Sequence, residues 1–180
     1  MADTPYREQI AGLLAAAREA IGMPIIYGQQ LRDKPKNPET GETRYPFVAY
    51  AIRSAQKVAE SCRAAPAEGG GAAKAWSQQW EITLGFTACS GDAFEAMEAA
   101  GALQNWLACG GQAWMRAHDM AHVASTAATA RDAAIAGMYE RRSGFDARLR
   151  LSREASAPAP AIEWVELPAL AANNSASQGG

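Results

Sequence analysis

Residues 76–87 read WSQQWEITLGFT, with Trp76, Gln78, Trp80, Ile82, Leu84 and Phe86 on one parity and Ser77, Gln79, Glu81, Thr83, Gly85 and Thr87 on the other. Side chains alternate between the two faces of a strand, so this pattern predicts a long strand with one apolar face and one wet face. Such a face has to be covered by another layer, and the segments on either side supply candidates for it.

Immediately C-terminal, Asp92 with Glu95 three residues on has the form of a helix N-cap with a capping carboxylate. Phe94, Met97, Ala100, Leu103, Trp106 and Leu107 then keep helical spacing up to Gly110-Gly111. Residues 120–137 are alanine-rich but carry Val123, Ser125, Thr126 and Thr129, which favours a strand near 120–127. From Tyr139 to Ser152 the alternation returns, with Phe145, Ala147, Leu149 and Leu151 against Asp146, Arg148, Arg150 and Ser152, and Gly144 as a candidate bulge. N-terminal to the first strand, Tyr45 to Ser54 (YPFVAYAIRS) is apolar on both parities and reads as a strand buried on much of both faces. Thr4-Pro5 is an N-cap pair for a helix through Ile10, Leu13, Leu14, Ala17 and Ile21, stopped by Gly22 and Pro24, with a short strand at 24–27.

Two segments read as exposed loops. Arg32 to Arg44 (RDKPKNPETGETR) is dense in charge, proline and glycine, and Cys62 to Ala73 (CRAAPAEGGGAA) has the composition of an arm or hairpin tip. After residue 154 comes an Ala/Pro spacer, a short edge strand over Ile162 to Leu167 and a loose tail. The expected fold is α+β: one domain over residues 1–154, a mostly antiparallel sheet of four to five strands, and two long helices on one face.

The 180 residues suit one domain, and 48% apolar with 20% charged residues suffices for a core. A net charge of −2 lacks the basic footprint of a dedicated nucleic-acid binder. Asp3, Arg7 and Glu8 stand where a signal peptide needs an apolar run, so neither secretion nor a membrane partner is expected. Cys62, Cys89 and Cys109 are odd in number with no C-x-x-C, which suggests reduced thiols.

Candidate chemistry is sparse. His118 and His122 are four apart and, on a helix, would share a face and a zinc ion, the basis of a metal-dependent hydrolase reading; in an extended chain they would stand about 13 Å apart and serve as edge histidines. Gly69-Gly70-Gly71 with Lys74 fails the phosphate-loop spacing. The three cysteines select no histidine partner, so no catalytic residue, metal or cofactor is assigned. Arg141, Arg142, Arg148, Arg150 and Arg153 alternate with acids along the last strand and read as a solvated face or one mated to another subunit. Trp76 and Trp80 read as core.

Taken in order, Tyr45-Pro46-Phe47 after a polar loop, the strand Trp80-Glu81-Ile82-Thr83-Leu84, a helix, and the run from Tyr139 to Leu149 (YERRSGFDARL) resemble the tail (neck) terminator proteins of long-tailed bacteriophages. The resemblance covers roughly residues 6–152. It implies a structural virion protein, not an enzyme, forming a ring of typically six subunits that caps the tail tube and faces the head connector. Its partners would then be other copies of itself, a tail tube or sheath protein and a head connector or adaptor, with DNA passing through the lumen without specific binding. The virion neck would be its location, after synthesis in the host cytoplasm. A head-completion adaptor or minor tail protein is the neighbouring reading. Besides the five arginines, Lys34, Lys36, Glu39 and Glu42 on the first loop are the candidate interface residues.

Overall fold

The computed structural model describes residues 6–28, 34–66, 72–135 and 138–158. The Thr4-Pro5 cap, the triple-glycine tip, and the edge strand and tail expected beyond residue 161 lie outside these.

Helix α1 (Arg7–Ile21) ends on Gly22, whose φ of 68° is the left-handed geometry that glycine adopts without penalty. Strand β1 (Ile25–Tyr27) follows, then the polar loop, then β2 (Phe47–Pro66) and β3 (Ala72–Ser90) as one long antiparallel hairpin. Helix α2 (Ala93–Asn105) runs through a π-helical turn at Trp106–Gly110 into α3 (Gln112–Ala117). Four strands complete the chain: β4 (Met120–Ser125), β5 (Thr129–Ala130), β6 (Ala133–Ile135) and the long β7 (Met138–Pro158).

The sheet has seven strands, with the path β1-β2-β3-β7-β4 and the short β5 and β6 also laid against β7. It is mixed, because β1 pairs with β2 in parallel, Ile25 to Tyr27 opposite Val48 to Tyr50. The expectation of four to five strands is corrected to seven, whereas the mostly antiparallel character holds, five of the six pairings being antiparallel and only β1–β2 parallel. Strands of two and three residues in alanine-rich sequence show no alternation to read, and a parallel pairing leaves no local signature.

One face holds the core. Ile82, Leu84 and Phe86 of β3 stand opposite Leu149, Ala147 and Phe145 of β7, and all six are buried. Tyr6, Ile10, Leu13, Leu14 and Ala17 from the α1 region, and Ala99, Ala100 and Leu103 from α2, close over them. Both long helices therefore cover one face, as the apolar parity of residues 76–87 requires. Trp80 packs at the edge of this core against Tyr6, ring centroids 5.3 Å apart, whereas Trp76 is only half-buried, further out along β3.

Four local expectations are corrected. The second helix does not stop at Gly110-Gly111: Gly111 is right-handed, and a Cβ there would come within 2.9 Å of the Trp106 indole, so the glycine admits a close contact and does not end the helix. On α2 the inward stripe is Ala96, Ala99, Ala100 and Leu103, while Phe94 and Met97 are 73% and 53% exposed. Alanine lets the helix backbone approach the sheet closely, and that stripe outcompetes the bulkier one. Gly144 is no bulge, because it pairs in register with Thr87; it is the place where the Arg131 side chain lies across the strand. Lastly, Cys62 to Pro66 and Ala72-Ala73 belong to β2 and β3 and are not loop, and β7 continues through Pro158, past the boundary expected at residue 154.

The bulges sit elsewhere: the β2–β3 register slips at Arg53 and again at Val58, each an extra residue on β2. Strand β1 covers β2 only from Val48 to Tyr50. Beyond that point Ile52 to Arg63 are all exposed, on both faces of the strand.

Asp92 caps α2 by accepting from the amides of Phe94 at 2.9 Å and Glu95 at 3.0 Å. The capping box is completed through a relay: Ser90 Oγ accepts from the Asp92 amide and donates to the Glu95 carboxylate. Asp92→Ala should cost about 1 kcal/mol, the usual worth of an N-cap, measured by urea unfolding; an unchanged midpoint would show that Ser90 alone holds the helix start.

Candidate assembly surface

The face of the sheet away from the helices carries the charged residues. Arg148 and Arg150 of β7 both reach Glu81 of β3, at 3.6 and 3.3 Å, while their own side chains stay about half exposed. Arg53 lies across Gly85, where a Cβ would collide with its guanidinium, toward Asp146 at 3.9 Å. Exposed pairs of this kind contribute little to stability, so they leave the arginines free to trade partners.

At one end of this face the charges are buried. Glu140 is 4% exposed and accepts from Lys34, from the Tyr45 hydroxyl at 2.7 Å and from Arg142 at 2.8 Å. Burial alone would raise its pKa, but the bonds from Lys34, Tyr45 and Arg142 outweigh it and hold the carboxyl below its ordinary value. The Tyr45 hydroxyl is raised, first by burial and then by its bond to Glu140. Beside them the Cys89 thiol is pushed up to about 12, by burial and by the Glu140 charge. A buried thiol so far from ionisation behaves as a small hydrophobe, packed with Phe47, Ala49 and Ile26. The cluster ties the polar loop, through Lys34 and Tyr45, onto the strand that bears Glu140.

The nine residues expected at an interface therefore divide. Arg142 and Lys34 are held inside by Glu140, with 19% of each side chain exposed, and act as internal fasteners. Arg141 pairs with Asp132 at 2.8 Å and lies over the Tyr139 ring. Arg148 and Arg150 share Glu81, and Arg153 is exposed in a polar groove with Glu8, Gln79 and Asp119. Lys36, Glu39 and Glu42 are exposed on a small turn closed by a bridge between Lys36 and Thr43. The structure spreads these groups over the sheet and loop and does not gather them into one patch.

His118 and His122 do not share a helix face. His118 follows the last turn of α3, stacked on Trp114 at 3.8 Å with Nδ1 2.8 Å from the Trp114 carbonyl, and His122 lies in β4 with Nε2 2.8 Å from Ser125 Oγ. Asp119, in left-handed geometry with φ 54°, turns the chain between them. Burial holds the His122 pKa below its ordinary value. Among the described residues no group of three or more metal-ligating side chains is assembled, and no helix is long and apolar enough to cross a membrane.

Two surfaces that spacing alone did not single out stand apart: the bare run of β2 from Ile52 to Arg63, and the α2 face of Phe94 and Met97. A strand exposed on both faces contributes nothing to its own core. These features define an α+β protein with a mixed sheet covered on one face by helices. The chain belongs to the phage neck terminator family, whose family model it matches over residues 11–174, and it is accordingly a structural component of the virion neck. No curated protein matches it.

Proposed function

We infer that the chain forms a closed ring, of six subunits as the family resemblance implies, which caps the tail tube and presents its other surface to the head connector, with DNA passing through the lumen. The observation that carries this reading is the exposed run from Ile52 to Arg63: twelve residues of strand, about 40 Å long, that bury nothing in the isolated subunit. Strand edges left open in this way are templates for further contacts. Repeated around a symmetry axis, one such contact closes a ring. Native mass spectrometry over micromolar concentrations, with and without purified tail tubes, should show a hexamer, and electron microscopy should place it at the tube end. A monomer under every condition, tubes included, would end the ring reading.

Contact with DNA in this reading is passive. The net charge is −2, and of the five arginines near the C-terminus four are paired with carboxylates. Few phosphates can then be neutralised, and each genuine neutralisation would steepen the salt dependence by nearly one logarithmic unit. Fluorescence anisotropy with a labelled duplex should detect no binding below ~10 µM at physiological salt, at the weak end of non-specific affinities. A sub-micromolar affinity falling steeply with salt would instead make Arg148 and Arg150, which share one face of β7, phosphate-binding residues.

A further inference from the structure

The bare strand run and the exposed face of α2 are complementary, and they lie at opposite ends of the same strand. Along β2, Arg53, Lys57 and Arg63 stand against the single carboxylate of Glu60, with Ile52 and Val58 half-exposed among them. At the start of α2, Phe94 and Met97 are flanked by Asp92, Glu95 and Glu98, and no Lys or Arg occurs between Ser90 and Met115. Glu98 makes no ion pair among the described residues. One surface is apolar with a basic surround and the other apolar with an acidic surround, the arrangement that steers two patches together and fixes their register.

The two cannot meet within one subunit. Ile52 to Arg63 pair with β3 between Leu84 and Ala75, the run reaching toward the outer end of the hairpin, whereas α2 begins only after Ser90, at the other end of that strand. Val58 is opposite the step between Trp80 and Gln79, so more than ten residues of extended β3, above about 30 Å, separate it from the α2 start.

We propose that the β2 arm of one copy seats on the Phe94–Met97 face of the next copy, Val58 packing against the two apolar side chains, which lie one helical turn apart, while the neighbouring Lys57 faces the acidic surround of Asp92 and Glu98. The occupant is a second copy of this chain, because this chain carries both complementary patches and cannot join them to each other. Arm-to-helix docking is head-to-tail, so an open chain of copies keeps one free arm at one end and one free face at the other until the ring closes. The proposal deepens the ring reading and rests on it.

The test uses two single substitutions at exposed positions, Val58→Asp on the arm and Met97→Asp on the helix, each placing a charge in the apolar centre of the contact, where it is desolvated without a partner. Far-UV circular dichroism should show both folded like the wild type. Each variant alone should assemble at least about tenfold more weakly than the wild type, the loss expected of a central contact residue. Mixed in equal amounts, they should form a heterodimer and nothing larger, because one intact arm and one intact face remain to meet. With Cys62 and Cys109 replaced by Ser, Val58→Cys/Met97→Cys should give an oxidised ladder of covalent oligomers on denaturing gels. A wild-type ring that Val58→Asp leaves intact, or a mixture of the two variants without heterodimer, overturns the arm-to-helix contact and leaves the ring standing. A wild type that stays monomeric even with tail tubes overturns both.

Discussion

Phe145→Ala is expected to lower the unfolding free energy by about 3–5 kcal/mol, the usual cost of removing a fully buried aromatic ring. Phe145 is 0% exposed and faces Phe86 across the β3–β7 pair, ring centroids 5.4 Å apart, under the cover of α1 and α2. Packing there is set by two rigid helices, so the cavity has little room to collapse and the loss should fall in the upper part of that range. Thermal unfolding should move down by roughly 10 °C, with the urea slope unchanged if the denatured state is unaffected. Arg148→Ala, three residues on and on the opposite face, should shift the midpoint by less than about 1 kcal/mol. The reverse ordering would put the strand one residue out of register, with every inward side chain moved to the wet face.

Glu140→Gln should cost a similar ~3–5 kcal/mol, because it removes the only anion in a buried group that also holds Lys34 and Arg142, leaving two cations facing no counter-charge. The isosteric amide keeps the volume, so the loss reports charge and not packing. The pH dependence carries a second signature. Glu140 titrates lower in the folded chain than its ordinary value of 4.5. Its contribution is therefore present above pH 4.5 and is lost as the pH falls through the folded value. Wild-type stability should drop over that acid range, and the Glu140→Gln protein should show a shallower slope there. Equal slopes in both proteins would mean that the carboxylate is not held as described.

The parts of the fold that could be read from residues are those where one side of an element is dry. The alternation of 76–87 and of 145–151 fixed the inward side chains of β3 and β7, because the helices above make polarity and parity the same thing. Legibility failed where burial was not the governing constraint. Cys62 to Ala73 has the composition of a loop, yet most of it is paired backbone, and hydrogen bonding between strands asks nothing of side-chain composition. On α2 two stripes competed, and small alanines won the interior because they shorten the distance to the sheet, which put Phe94 and Met97 outside. The arginines were identified as a charged face from alternation alone, but alternation is silent about partners. Glu140, two residues from Arg142 and far in sequence from Lys34 and Tyr45, turned two of the expected surface groups into internal ones. The signal that was available was the pairing of YP and ER motifs, which carried the family resemblance without revealing that a tyrosine and an arginine meet on one carboxylate.

The slips at Arg53 and Val58 have a bearing on life before assembly. Beyond Tyr50, β2 presents a long strand edge whose amides and carbonyls are unspent on the side away from β3 among the described residues. Two straight edges of this length would zip together indiscriminately and carry the chain into sheets of indefinite extent. An extra residue twice within six positions breaks the even ladder and increases the local twist, so two such edges cannot stay in step for more than a few residues. Irregularity here works as a safety catch, leaving the surface open to a shaped partner while denying it to its own mirror.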